Sequence, residues 1–305
     1  MRQDDLDSGP LLTQRILTQR IRLGLVGAIL VGTGCSPTLT AGPERAQPQE
    51  LEPMPEVSFT VHDLPQATVY VVTVPPGYQV EVAASDTLQT VEAFADGAIA
   101  VLNAGFFDPN NGKTTSHVMI DGAVVADPAE NERLVNNPDL TAYLPQILNR
   151  SEFRRYSCTE TVRYDITFHT APIPDDCIQV DAVGAGPQLL PEDTSEQEGF
   201  TARSAGGELV RDAIGSQQRN ARSAVGIKAD GSVVLMMIAQ HEATGGITLA
   251  ELAEFVQQQG VEKALNLDGG SSSSMIFGSE TLYGRLNREG SWVERPVKSV
   301  LVVRE

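Results

Sequence analysis

Residues 224–238, Ala-Val-Gly-Ile-Lys-Ala-Asp-Gly-Ser-Val-Val-Leu-Met-Met-Ile, set two apolar runs on either side of an Asp-Gly turn. That pattern narrows the folds open to the chain, because Asp-Gly supplies the left-handed backbone conformations that a tight hairpin needs. The signature recurs at residues 118–125, Val-Met-Ile-Asp-Gly-Ala-Val-Val. Two more β-rich runs, 67–74 and 78–83, are parted by Pro75-Pro76-Gly77, and residues 98–102 and 297–303 also read as strands. Helices are fewer. Leu88, Val91, Phe94 and Ala95 fall at helical spacing over residues 86–95, behind Asp86 as a candidate N-cap. Thr248-Leu-Ala-Glu251 is a capping box opening a helix that buries Leu249, Leu252, Ala253 and Val256 and ends at Gly260. The expectation is a single α+β domain over residues 57–305, with a mixed, mainly antiparallel sheet and a few helices.

The first 56 residues read differently. Arg15, Arg20 and Arg22 precede an apolar, small-residue stretch from Leu23 to Gly34, and Cys35 follows. A basic stretch, a short apolar run and a small-residue exit are the features of an export signal. The run falls short of the roughly 20 residues of a membrane span. Residues 1–35 are therefore read as a lipoprotein-type signal with Cys35 as the lipidated residue, which would anchor the protein at the membrane of the cell envelope. Plain secretion or an uncleaved anchor is the alternative. Residues 36–56, rich in Pro, Gln and Glu, read as a disordered tether.

Formal net charge of −18 argues against nucleic acid as a partner, since phosphate contacts need a basic face. Of three cysteines, setting Cys35 aside leaves Cys158 and Cys177, which can close a disulfide loop in an oxidising compartment. Two free buried thiols are the other possibility. No Cys/His cluster calls for a metal, and no cofactor is expected.

Four loops carry polar groups at strand ends. They are Asn103-Ala-Gly-Phe-Phe107, Gly184-Ala-Gly-Pro-Gln-Leu189, Arg222-Ser-Ala-Val-Gly226 and Asn266-Leu-Asp-Gly-Gly-Ser-Ser-Ser273. Each taken singly could be an ordinary turn or, for Arg222, a surface ion pair. In this order they resemble the motifs of the phosphodiester glycosidase family, over about residues 60–303, and Arg295-Pro296-Val297 also fits. Two positions depart from that pattern. Ser271 stands where the family usually has Gly, and Ala239-Gln240-His241 stands where it commonly has Asp-Gly-Arg.

The resemblance implies a hydrolase of sugar-1-phosphodiesters in envelope or extracellular glycans. Its transition state would resemble an oxocarbenium ion, and its leaving group is an already stable phosphate anion. Asp268 is then the carboxylate at the anomeric carbon, Arg222 the phosphate clamp and Asn103 a catalytic orienter. Asn266, Gly269, Gly270, His241 and Gly186 become candidate substrate contacts. The other reading is a sugar-phosphate or glycan binding protein on the same scaffold, weakened in catalysis by the loss of Asp-Gly-Arg.

Overall fold

The computed structural model describes residues 14–15 and 55–305. The expected signal with Cys35, and all of the tether except its last two residues, lie outside the described residues apart from the short strand Gln14–Arg15.

Three antiparallel sheets build the body. The first has the order Gln14–Arg15, Ser58–Leu64, Ala67–Val74, Val233–Gln240, Arg222–Lys228, Val261–Asn266, Gln188–Leu190. A second runs Glu280–Tyr283, Ser274–Phe277, Ala100–Asn103, Val297–Arg304, Gln79–Gln89. The third runs Ala123–Ala126, Val118–Ile120, Cys177–Gly184, Ser151–Cys158, Val162–Phe168. The mainly antiparallel sheet expected from sequence is what forms: neighbouring strands are antiparallel in each of these ladders, and the helix Leu249–Gln258 carries the chain from Val233–Gln240 to Val261–Asn266 past the intervening Arg222–Lys228.

Strand Val233–Gln240 explains its own apolar run. Its odd residues Val233, Leu235, Met237 and Ala239 pack into the core shared with the other two sheets. Its even residues Val234, Met236 and Ile238 pack under the helix Leu249–Gln258. Both faces are covered, so no polar alternation survives, and each large side chain contributes about 1.5–3 kcal/mol of burial. The capping box is present on both sides, with Thr248 Oγ1 accepting from the Glu251 amide and Glu251 accepting from the Thr248 amide. Phe255 is buried on this helix, while Ala253 packs at the margin.

One expected helix is a strand. Gln79–Gln89 extends through the predicted helical segment because it pairs with Val297–Arg304, across an irregular register between Ala84 and Gln89. Only the single 3-10 turn Val91–Phe94 remains, starting after Thr90 rather than at Asp86. A few residues of helical spacing cannot outweigh an open ladder partner.

Cys158 and Cys177 are disulfide-bonded, facing each other across neighbouring strands with Cα atoms 4.1 Å apart. Closing this loop stabilises the fold by about 3 kcal/mol.

Candidate active site

The site forms where the ends of the first and second sheets meet. Leu267 N donates to Ser223 O at 2.8 Å, and one residue later Asp268 N donates to Ala104 O at 2.9 Å. The chain thus leaves one sheet and docks on the other at Asp268.

Asn103 is the bracket that holds this crossing. It is fully buried, with Nδ2 donating to Asp268 O at 2.5 Å and Oδ1 accepting from Ser223 Oγ at 2.7 Å and Ser274 N at 3.1 Å. Asn103 and Asp268 are brought together, but through the Asp268 backbone. The Asn103 amide, expected to be catalytic, is spent on protein groups.

Asp268 is a half-buried carboxyl. Its side chain is walled in by protein yet keeps partial solvent access, and burial pushes its pKa up to about 6. Hydrogen bonds from the Ser272 hydroxyl and the Gly269 amide, and the nearby Arg295 cation, pull the other way.

Arg222 bonds to the protein itself. Its guanidinium donates to Ile247 O at 3.2 Å, Ile214 O at 3.1 Å, Gly215 O at 2.6 Å and Gln218 O at 2.8 Å. Four of five N–H groups are spent on carbonyls of two loops, so the fork cannot grip a phosphate bidentately. Burial lowers its pKa to about 10, still above neutral. Only its stem approaches the turn, Cδ lying 3.8 Å from where a Cβ on Gly269 would stand.

Arg295 is the cation that sequence reasoning passed over as a contact. It donates from Nη1 to Ser271 Oγ at 2.7 Å, and its Cζ sits 5.0 Å from the Phe107 ring centroid. Phe107 of the first loop and Ser271 of the last thus hold one guanidinium beside Asp268. Ser271, the departure from Gly, has acquired a partner. The signal in sequence was the Arg-Pro step into the closing strand.

The other candidates fall on several sides of this turn. Asn266 is buried, its Nδ2 donating to Gly186 O at 2.8 Å, while Oδ1 has no partner among the described residues. Gly186 adopts φ of +117°, and a Cβ there would stand 2.2 Å from Glu198 Oε2, so no side chain fits. Glu198 is itself buried and accepts from Ser151 N at 3.0 Å, Gln188 N at 3.1 Å and the Thr194 hydroxyl, a framework sequence reading missed. His241 is exposed and paired with Thr68 Oγ1 at 2.9 Å. Its neighbour Gln240 ties down the loop after Tyr283, accepting from Leu286 N at 3.1 Å.

Two surface clefts, about 680 and 430 Å³, open around Asp193, Arg203 and Leu249 and around Gln66, Arg219 and Phe255. Neither is lined by Asp268. The candidate site is Asp268, where a carboxyl raised by burial has the Arg295 cation near it.

Comparisons with known proteins bear on the fold and the family. N-acetylglucosamine-1-phosphodiester alpha-N-acetylglucosaminidase of Mus musculus is 40% identical over 58 residues, 19% of this chain and 11% of the relative. The Bos taurus enzyme of the same name is 42% identical over a stretch of the same length. The catalytic domain of the zebrafish enzyme, auto-inhibited by its pro-peptide, superimposes with a TM-score of 0.60 at 18% identity, covering 84% of this chain and 85% of that one. A Burkholderia pseudomallei protein described as exported follows at a TM-score of 0.53 and 16% identity, covering 81% and 75% of the two chains. These two structures share the fold. The phosphodiester glycosidase family matches residues 96–304, a stretch that contains every loop of the site, and the chain belongs to that family.

Proposed function

We propose that the protein hydrolyses a sugar-1-phosphodiester, with Asp268 acting at the anomeric carbon and Arg295, in place of Arg222, facing the phosphate. The observation that carries this reading is the Asp268 carboxyl, raised to about 6 by burial and faced by one arginine. Above that pH it is a carboxylate in a setting of low dielectric, where charge acts strongly on a developing cation.

In the reaction the bond from C1 to the bridging oxygen breaks and its electron pair leaves with the phosphate. C1 gains an oxygen from water, either directly with Asp268 as base or after Asp268 has itself bonded to C1. The departing phosphate monoester is a stable anion, so no strong general acid is needed. Arg295 stabilises the charge that builds on it. Asn266 Oδ1, a buried acceptor without a partner among the described residues, suits a sugar hydroxyl. Gly269 and Gly270 leave room for the ligand beside the turn.

Turnover of a sugar-1-phosphodiester, followed as release of free sugar together with the phosphate monoester that keeps the alcohol, tests the reading. Loss of turnover in Asp268→Asn supports it. Absence of turnover by the unmodified protein on every such diester would replace it with the binding-protein alternative.

We further place the protein in the cell envelope, exported and anchored through a lipidated Cys35, with envelope or extracellular glycans as substrates. The Cys158–Cys177 disulfide supports an oxidising compartment. Among the described residues no helix is long and apolar enough to cross a membrane. Cys35→Ser should move the protein from the membrane to the soluble fraction; retention in the membrane would favour an uncleaved anchor.

A further inference from the structure

The turn after Asp268 has a second side, formed by the loop between Tyr283 and Val297. Arg285 stands at the start of that loop, and its guanidinium Nη1 lies 3.4 Å from the point where a Cβ on Gly270 would be. Asn220 Nδ2 lies 3.4 Å from the same point. Gly270 has φ of +61°, so the space between these two donors is kept open by a residue without a side chain.

Both donors are spare and both are held from behind. Asn220 Oδ1 accepts from Ala221 N at 3.0 Å, which leaves Nδ2 without a partner among the described residues. Its backbone exchanges two hydrogen bonds with Ile247, at 3.2 and 3.0 Å. Arg285 is exposed, and no carboxylate among the described residues pairs with it, although the chain has 40 Asp and Glu against 22 Lys and Arg. Its backbone is fixed by Val293 N donating to Arg285 O at 2.9 Å. Gln240 fixes the residues on either side, accepting from Leu286 N at 3.1 Å and donating from its own amide to Gly284 O at 2.8 Å. In so acidic a chain, a guanidinium left without a carboxylate, on an anchored stretch of backbone and beside a spare amide N–H, is a site for a small anion.

We infer that Arg285 and Asn220 bind non-bridging oxygens of the substrate's phosphate beside Gly270. This rests on the proposed diester hydrolysis and deepens it, giving Arg285 the choice of a phosphate-bearing substrate. Arg285 and Asn220 act in binding, because the phosphate carries its charge before as well as during the reaction.

Inorganic phosphate binding to the full chain, measured by calorimetry, tests this apart from turnover. Arg285→Gln and Asn220→Ala should each weaken phosphate binding about tenfold or more, the effect of one charge-assisted hydrogen bond. Arg285→Lys should restore part of it. On a sugar phosphodiester, Arg285→Gln should raise KM by a similar factor and leave kcat within about twofold, which a general structural defect would not do. Asn220→Asp, which sets a carboxylate against the anion, should abolish phosphate binding while the melting temperature holds. Unchanged phosphate affinity in both Arg285→Gln and Asn220→Ala overturns the inference even if the protein turns over diesters. Arg285-dependent phosphate binding by a protein that cleaves no sugar diester would leave the inference standing and remove the proposed hydrolysis.

Discussion

Arg222 and Arg295 occupy opposite ends of a single question, which arginine beside Asp268 is architecture and which is chemistry. Arg222 is buried and gives four N–H groups to loop carbonyls. Arg295 is half-buried, bonded to one serine hydroxyl, and is the cation that bears on the Asp268 carboxyl. A guanidinium with its donors consumed organises loops; one with donors to spare can meet a ligand. Motif order alone does not separate the two arginines.

The sharpest way to break the comparison is to remove the carboxylate of Asp268. Asp268→Asn should lower kcat by about 10²–10⁴-fold, the range for a positioned acid–base group, with Asn103 still holding the turn. Near-normal turnover would place the reacting acid elsewhere.

Next comes Arg222. Arg222→Met strands the Ile247 carbonyl, which is buried, and three more accessible ones, and should destabilise the protein by about 1–3 kcal/mol in denaturant unfolding. The fraction that remains folded should keep its phosphate affinity. A stable Arg222→Met protein that has lost phosphate binding would restore Arg222 as the clamp.

Arg295→Ala reverses that signature. Turnover should fall about 10²-fold, as for other single donors at a developing charge, while the unfolding midpoint changes little. Arg295 holds the Asp268 pKa down against burial, so its removal should move the acid limb of the pH–rate profile from near pH 6 to higher pH. A limb that does not move would uncouple the pair.

The smallest effect is on stability against pH. The Asp268 pKa is raised from 3.8 to about 6, so the folded protein binds the proton more tightly than the unfolded chain does. Stability from this group is present below the unfolded value and is lost as pH rises through about 6. Asp268→Asn should therefore be more stable than the parent at pH 7.5, by about 1–2 kcal/mol after allowing for partial solvent access. The gap should close by about pH 4. A gap of the same size at both pH values would mean that Asp268 is not held at a raised pKa.

Much of the fold was legible because hairpins and caps are local devices. Asp121-Gly122, both at positive φ, turn the hairpin between Val118–Ile120 and Ala123–Ala126. Thr248 and Glu251 cap their helix within four residues of each other. Residues 86–95 were misread because their conformation was decided by a partner strand more than 200 positions away. At the site, the four strand-end loops pointed to Asp268, but not to Arg285 or Asn220, which carry no motif and matter only through their approach to Gly270.

What the amino-acid sequence determined by itself is the set of elements and the family, since alternation, turn residues and loop motifs act over a few positions. Only the tertiary structure decided which charges are spent and which are free. A guanidinium's partners are backbone carbonyls, which every residue carries alike, so nothing in the letters around Arg222 announces that its donors are already taken. Packing places those carbonyls, and the low dielectric around Asp268 that raises its carboxyl is likewise a property of surrounding atoms from distant parts of the chain.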